Sequence, residues 1–150
     1  MNDKSLSVLE RRLGHRFGDR ELLGRALTHA SWAAEHAPGE HQEALAFVGD
    51  AALSLVVAEH VFEAEPGAAV GRLTPLRAEV VADAALARWA VALGLGPLLR
   101  LGRGAEQEGG RETPSILATT LEAVLGALYL EGGLPAVRDV VAGLAAWRRA

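Results

Sequence analysis

Two long apolar segments, each interrupted by a single acidic side chain, constrain this sequence more than any other feature. Residues 46–57 read AFVGDAALSLVV, and Asp50 is the only charged side chain among them. Residues 115–130 read SILATTLEAVLGALYL, and their only charge is on Glu122. Because an ionised carboxylate is costly to remove from water unless it gains a partner, both acids require a common explanation.

The apolar residues have helical spacing along the whole chain. Residues 41–62 are apolar nearly all round, which predicts a central, buried helix. Gly14 is expected to end the first helix and Asp19 to cap the second. The sequence predicts helices at 6–13, 20–32, 41–62, 74–94, 115–130 and 136–150, with loops at 34–41, 63–71 and 98–115, the last of them exposed. No segment alternates like a strand, so we expect one all-α domain over 1–150.

Composition excludes several classes of function. The chain has no cysteine, which rules out a disulfide scaffold and any cysteine-based metal site or nucleophile. Its formal net charge of −4 argues against strong unaided binding to nucleic acid, although a local basic patch is compatible with it. The N-terminal residues are charged and amphipathic, unlike a secretory signal, and the apolar runs are too interrupted to span a bilayer. We expect a cytoplasmic protein with no membrane partner.

The spacing of the acids suggests a metal site. Glu43 and Asp50 are seven residues apart and therefore share a helix face, on which Ala46 lies between them. If the two apolar helices pack together, Glu122 could converge with them. Clustered carboxylates bind Mg²⁺ or Mn²⁺, because hard cations prefer oxygen ligands. The alternative is that Asp50 and Glu122 pair with buried arginines, such as Arg77 or Arg25, or accept backbone N–H groups.

Four segments resemble the ribonuclease III family. HQEALAFVGDAALSLVVAEHVF resembles the family's signature helix, N-E-R-L-E-F-L-G-D followed by an apolar run. LERRLGHRFGDRELLGRALTHAS is similar to its N-terminal helices, and GRLTPLRAEVV to its G-x-L-T-x-L-R-A stretch. RLGRGAEQEGGRETPSILATTLEAVLGALYLEGG is similar to its glycine-rich loop and second acidic helix. The resemblance is colinear and covers nearly the whole chain.

This resemblance implies an all-helical endonuclease domain that dimerises through the signature helix. The dimer would form a valley for double-stranded RNA with an acidic metal cluster at each end. Phe47 lies where the family inserts an apolar residue into a socket on the partner subunit; the alternative is an ordinary core phenylalanine. Family enzymes commonly carry a double-stranded-RNA-binding domain after the catalytic one, and the resemblance here covers only the catalytic part.

The departures from the family pattern affect the metal cluster. The second signature glutamate, normally a direct ligand, aligns with Ala46, and the aspartate of A-D-x-x-E-A aligns with Thr119. The glutamate before G-x-L-T aligns with Val70. Two of three expected direct ligands are thus replaced.

The family's remaining acids are kept as Glu43, Asp50 and Glu122, with Glu122 a direct ligand and Asp50 acting through water. Mg²⁺ can bind through one or two carboxylates when substrate phosphates supply the other ligands. Losing ligands should nevertheless weaken transition-state stabilisation sharply. The expected cofactor is therefore Mg²⁺ or Mn²⁺ if the protein is active, or none.

Three arginines of the glycine-rich loop, Arg100, Arg103 and Arg111, are candidate contacts for the RNA backbone. Glycine lets backbone N–H groups approach phosphate, and the N-terminus of the following helix favours anions. The alternative is a solvated loop whose arginines pair with glutamates of the same loop.

Three hypotheses follow. The first is a dimer that binds double-stranded or structured RNA, a ribosome or a protein partner and has lost most or all cleavage. The second is an active, metal-dependent endoribonuclease of RNA or ribosomal RNA processing that uses Glu43, Asp50 and Glu122. The third is a protein-interaction module without an RNA role, such as a heterodimer partner of a complete family member. We favour the first.

Overall fold

A computed structural model describes residues 2–36 and 38–147, and its regular elements are helices. The α-helices are α1 Asp3–Leu13, α2 Arg20–Ala26, α3 Ala30–Glu35, α4 Glu43–Ala64, α5 Val70–Val80, α6 Asp83–Leu93, α7 Arg103–Gln107 and α8 Pro114–Leu144. Short 3₁₀ turns lie at Gly96–Leu98 and Gly110–Glu112. The described residues contain no strand, only an isolated bridge between Thr28 and Arg100. The predicted all-α class is confirmed.

The centre of the fold is a close crossing of α4 and α8. A Cβ added to Gly49 of α4 would overlap the carbonyl oxygen of Glu122 on α8. A Cβ added to Gly126 of α8 would in turn overlap the carbonyl oxygen of Leu45. Two glycines therefore let the backbones of the two most apolar helices touch. The condition that the sequence analysis set for bringing Asp50 and Glu122 together, packing of the two apolar helices, is met.

Gly14 ends α1 and Asp19 caps the start of α2, as the sequence predicts. The Asp19 carboxylate accepts hydrogen bonds from the backbone N–H groups of Glu21 and Leu22, at 3.0 and 3.2 Å. Gly14 ends α1 in the left-handed conformation, at φ 65°. These local signals work because each satisfies backbone groups that a helix end leaves without partners.

The predicted helix 20–32 is wrong in its extent, because the chain leaves the helix between α2 and α3. Arg100 donates its N–H to the carbonyl of Leu27 at 2.9 Å, and His29 donates to the carbonyl of Arg100 at 3.0 Å. The Thr28 hydroxyl donates to the carbonyl of Gly24 at 2.7 Å. Hydrogen bonds to a distant segment thus replace those of a continuing helix.

The predicted helix 74–94 is two helices, α5 and α6. The first of them, α5, starts at Val70, four residues before Thr74, because Ala69 is extended. Pro75 lies inside α5, whose residues are all at least partly exposed, so water can solvate the carbonyl that proline leaves without a donor. Ala82 is extended, at ψ 145°, and separates the two helices.

The predicted exposed loop 98–115 is more ordered and more buried than expected. Leu99 and Leu101 are buried in the core, and Gly102 and Gly110 are buried against neighbouring backbone. The segment contains α7, the 3₁₀ turn Gly110–Glu112 and the last residue of the other 3₁₀ turn, Leu98. Its apolar residues are too widely spaced among glycines and charges to give a periodic signal.

The predicted end of the helix 115–130 at EGGLP appears as a kink within α8. Gly133 has φ 70° and ψ −172°, which an L-residue with a side chain rarely adopts. Pro135 follows in the second half of the helix. The last predicted helix, 136–150, continues to Leu144, and residues 148–150 lie outside the described part.

One face of α4 is exposed, which corrects the prediction of a helix buried all round. Phe47 and Phe62 are 81% and 70% exposed, and Leu55 is also exposed. The opposite face packs on α8. By length and composition alone, α4 and α8 could each cross a membrane, but core helices of soluble proteins pass the same test.

We expect Gly49→Ala and Gly126→Ala each to lower the free energy of unfolding by about 1–3 kcal/mol, because an added methyl group would force the two backbones apart. Chemical denaturation measures the change. Gly143→Ala, in the same helix as Gly126, is the control, because a Cβ there meets no atom within 4 Å. Its stability should be unchanged or slightly higher. A normal midpoint for Gly126→Ala would contradict the close crossing.

Candidate active site

The crossing of α4 and α8 brings Asp50 and Glu122 together. Asp50 follows Gly49 directly in α4, and Gly49 lies against the backbone of Glu122. Glu122 is half-buried while Asp50 is exposed, and the two carboxyl groups share a hydrogen bond. Two carboxylates can share a hydrogen bond only if one carries a proton. We call these two residues the acid pair.

The surroundings of Glu122 favour its protonated form. Burial raises its pKa, and the hydrogen bond and negative charge of Asp50 and the charge of Asp83 raise it further, to about 8. Glu122 therefore retains a proton at neutral pH, which explains how a carboxyl group is tolerated in an apolar helix.

The predicted alternative, pairing with arginines, is not observed for either acid. Arg25 donates its Nε to the carbonyl of His41 at 3.0 Å. Arg77 is exposed on α5. Within residues 2–36 and 38–147, no ion pair includes Asp50 or Glu122.

Glu43 does not join the acid pair within one protomer, which corrects the predicted convergence of three acids. Two helical turns, about 10 Å, separate it from Asp50 along α4. Glu43 lies instead near two histidines: its carboxylate is 4.0 Å from Nδ1 of His41. Burial lowers the pKa of His29, and the charge of Glu43 acts in the opposite direction.

Asp83, the first residue of α6, is an acid that the sequence analysis missed. Its charge acts on Glu122 across the fold. Nothing in its local sequence indicates this, because the predicted helix 74–94 placed it in mid-helix. Even so, the described residues contain no group of three or more acidic or histidine side chains arranged to hold a metal ion.

Comparison with known proteins identifies the family. A ribonuclease-III-like family model matches residues 19–145. The chain belongs to the ribonuclease III family.

Curated relatives support this assignment. The chain is 48% identical over 141 residues to Ribonuclease 3 of Nitratidesulfovibrio vulgaris, and 45% identical over 143 residues to Ribonuclease 3 of Caldanaerobacter subterraneus. Each match covers 93% of this chain but only 56% and 61% of these relatives. The chain thus spans little more than half of their length.

Solved structures support the fold. The nuclease domain of ribonuclease III from Campylobacter jejuni superposes with a TM-score of 0.87 at 38% identity, covering 93% of this chain and 94% of that chain. A second structure of that domain gives a TM-score of 0.87 at 34% identity, covering 100% and 99%.

Two of the three positions at which the ribonuclease III pattern has acids and this chain does not, Ala46 and Thr119, flank the acid pair; the third, Val70, is exposed at the start of α5. Ala46 is buried on α4, one turn before Asp50. Thr119 is half-buried on α8, one turn before Glu122. The methyl group of alanine offers no ligand atom, and the threonine hydroxyl is neutral. In this ribonuclease III domain, the carboxylates that could bind a divalent cation at the crossing are thus those of Asp50 and Glu122.

The three loop arginines have different environments. Arg111 donates to the carbonyls of Leu99 and Gly96, at 2.6 and 3.1 Å, and to Glu106 at 2.9 Å. These bonds match the alternative in which a loop arginine pairs internally. The side chain of Arg103 is 91% exposed, and Arg100 lies over the ring of Trp32.

The acid pair gives a prediction for stability against pH. The pKa of Glu122 is raised in the folded state, so the folded protein binds more protons than the unfolded chain between about pH 4.5 and 8. Stability should fall as pH rises through this window when divalent metal is absent. Glu122→Gln should flatten the dependence, as measured by denaturation from pH 5 to 9 in chelator.

Glu63→Gln, which removes an exposed carboxylate on α4, the helix that carries Asp50, is the control and should leave the pH dependence unchanged. Asp50→Asn should lower the pKa of Glu122, which NMR titration would measure. Equal pH dependence in wild type and Glu122→Gln would show that Glu122 is ionised at neutral pH.

Proposed function

We propose that this domain binds double-stranded RNA as a ribonuclease III-type dimer and has lost most or all cleavage. The observation that carries this proposal is that Asp50 and Glu122 share a site, with Ala46 and Thr119 where the family pattern has acids. RNA bound by such a domain is held by arginine and backbone contacts, which do not depend on those acids. Binding can therefore persist after cleavage is lost.

The chemistry of the acid pair supports weak catalysis. If Mg²⁺ or Mn²⁺ binds, Asp50 and Glu122 would hold it, and the ion would stabilise charge that develops on the phosphate. Two carboxylates can do this only with help from substrate phosphates. Glu122 must also give up the proton that burial and Asp50 favour, so the site is poorly prepared for a cation at neutral pH.

The exposed face of α4 supports a dimer. Phe47, Leu55 and Phe62 are apolar and exposed in a single chain, and such a face is typical of a protein interface. Val70 and Leu73 extend it into an apolar groove between α4 and α5. The C. jejuni structure was described for flexibility in a region involved in dimer formation.

The glycine-rich segment supports contact with the RNA backbone. Arg103 is exposed and Arg100 is partly exposed, whereas the internal bonds of Arg111 make it a positioning residue for Leu99 and Gly96. We therefore assign phosphate contacts to Arg100 and Arg103. The expected ligand is duplex or structured RNA in the cytoplasm, including ribosomal RNA precursors or the ribosome.

The second candidate function is an active endoribonuclease that uses Glu43, Asp50 and Glu122. It is supported by the contact between two carboxyl groups that, within the described residues, no arginine offsets. Such a contact lowers the stability of the folded protein, which favours a catalytic reason for the presence of both acids. A third function, a heterodimer partner without an RNA role, is favoured by the net charge of −4 and the exposed apolar face.

Restoring the missing acids separates the first two functions. The Ala46→Glu, Thr119→Asp variant should cut labelled duplex RNA with Mn²⁺ at least about 100-fold faster than wild type, because ligand losses cost orders of magnitude in rate. Circular dichroism checks folding. The same variant with Glu122→Gln added is the matched control and should be inactive. Wild-type cleavage that Glu122→Gln abolishes would establish the second function instead.

Phe47→Glu should dissociate the dimer, because it places a charge in an apolar interface. Sedimentation measures the oligomeric state. Val91→Glu is the control, since Val91 is 65% exposed on α6 and outside the proposed interface. A wild-type protein that sediments as a monomer, or a Phe47→Glu variant that remains dimeric, would contradict this interface.

A further inference from the structure

A surface cluster of Trp32, His36 and Arg100 is not explained by the packing of the fold. The rings of Trp32 and His36 are stacked, with centroids 4.1 Å apart and planes 7° apart. The guanidinium carbon of Arg100 lies 5.3 Å from the centroid of the Trp32 ring. We call these three residues the Trp32 cluster.

Trp32 differs from the other two tryptophans in its surroundings. Trp89 and Trp147 both pack against the hydrophobic core. Trp32 is not among the side chains that pack there, and α3 buries only Ala33. Trp32, whose ring contacts Arg100 and His36 at the surface, is therefore not required to fill the interior of the fold.

Backbone hydrogen bonds hold the Trp32 cluster in place. The bridge between Thr28 and Arg100 fixes the backbone beneath Arg100. Nδ1 of His36 donates to the carbonyl of Trp32 at 3.0 Å, which orients the imidazole ring. Stacking an additional ring onto a cluster already ordered would lose little conformational entropy.

The Trp32 cluster adjoins the segment to which phosphate contacts are assigned. The Ser31 hydroxyl, next to Trp32, accepts the N–H of Gly102 at 2.9 Å. Glu35 accepts the N–H of Arg103 at 3.1 Å. An aromatic surface beside two arginines has the composition that proteins use for unpaired nucleotides, where bases stack on rings and cations contact the backbone.

We propose that the Trp32 cluster stacks an unpaired RNA nucleobase on the exposed ring of His36, next to the phosphate contacts of Arg100 and Arg103. The inference deepens the proposed RNA-binding function and rests on it. Trp32 occupies one face of the imidazole ring, and the base occupies the other. The ligand is then a duplex with an unpaired end or loop, and not a uniform blunt helix.

The test compares RNAs that differ only in the base. The probes are a blunt duplex, the same duplex with a short unpaired uridine end, and the same end made of abasic nucleotides, which retains the phosphates. Wild type should bind the uridine end about tenfold more tightly than the abasic end, the range expected for base–aromatic stacking. His36→Ala should abolish this difference while leaving affinity for the blunt duplex unchanged.

His60→Ala is the matched control, because His60 is stacked in the same way on Trp147, at 3.8 Å. It should keep the preference for the uridine end. Equal affinity of wild type for the uridine and abasic ends, or an unchanged preference in His36→Ala, would overturn the inference.

A second readout separates this inference from the proposed function. In a Trp89→Phe, Trp147→Phe background, whose folding circular dichroism checks, Trp32 is the only tryptophan, and single-stranded oligouridine should quench its fluorescence. The abasic strand should not. Quenching without binding of blunt duplex would overturn the proposed function and uphold the stacking site, whereas duplex binding without quenching would do the reverse.

Discussion

The contact on which the rest of the structure depends is the crossing of α4 and α8 at Gly49 and Gly126. Each glycine lies where a side chain would overlap the opposite backbone. Close approach of two apolar helices removes a large apolar surface from water. Because Asp50 follows Gly49 and Glu122 supplies the facing carbonyl, the same contact that packs the core also sets the separation of the two carboxyl groups.

The helix crossing therefore affects both the stability of the fold and the protonation of the acid pair. Two acids held together without a cation cannot both ionise easily, so burial and mutual repulsion leave a proton on Glu122. Any divalent cation that binds between them competes with this proton. The acid pair thus destabilises the folded protein as pH rises, and the fold tolerates it because packing at the glycines is independent of the charge state.

Sequence patterns predicted the features that depend on local or periodic signals. These include the caps at Gly14 and Asp19 and the two apolar helices. The splits of 20–32 and 74–94 were missed, since the first results from hydrogen bonds between Leu27 and Arg100, which are remote in sequence. Spacing could place Asp50 and Glu122 on facing helices. It could not show that the charge of Asp83 acts on Glu122, nor that Glu43 lies beside His41.

The replacements at Ala46 and Thr119 have a physical consequence for the fold as well as for cleavage. Each removes a carboxylate from beside the acid pair, and with it desolvation cost and repulsion between like charges. The contacts that shape the glycine-rich segment, such as the bonds of Arg111 to Leu99 and Gly96, do not involve either position. Replacing these two acids therefore lowers like-charge repulsion at the crossing without disturbing that segment, so the scaffold does not depend on the acids that the family pattern places there.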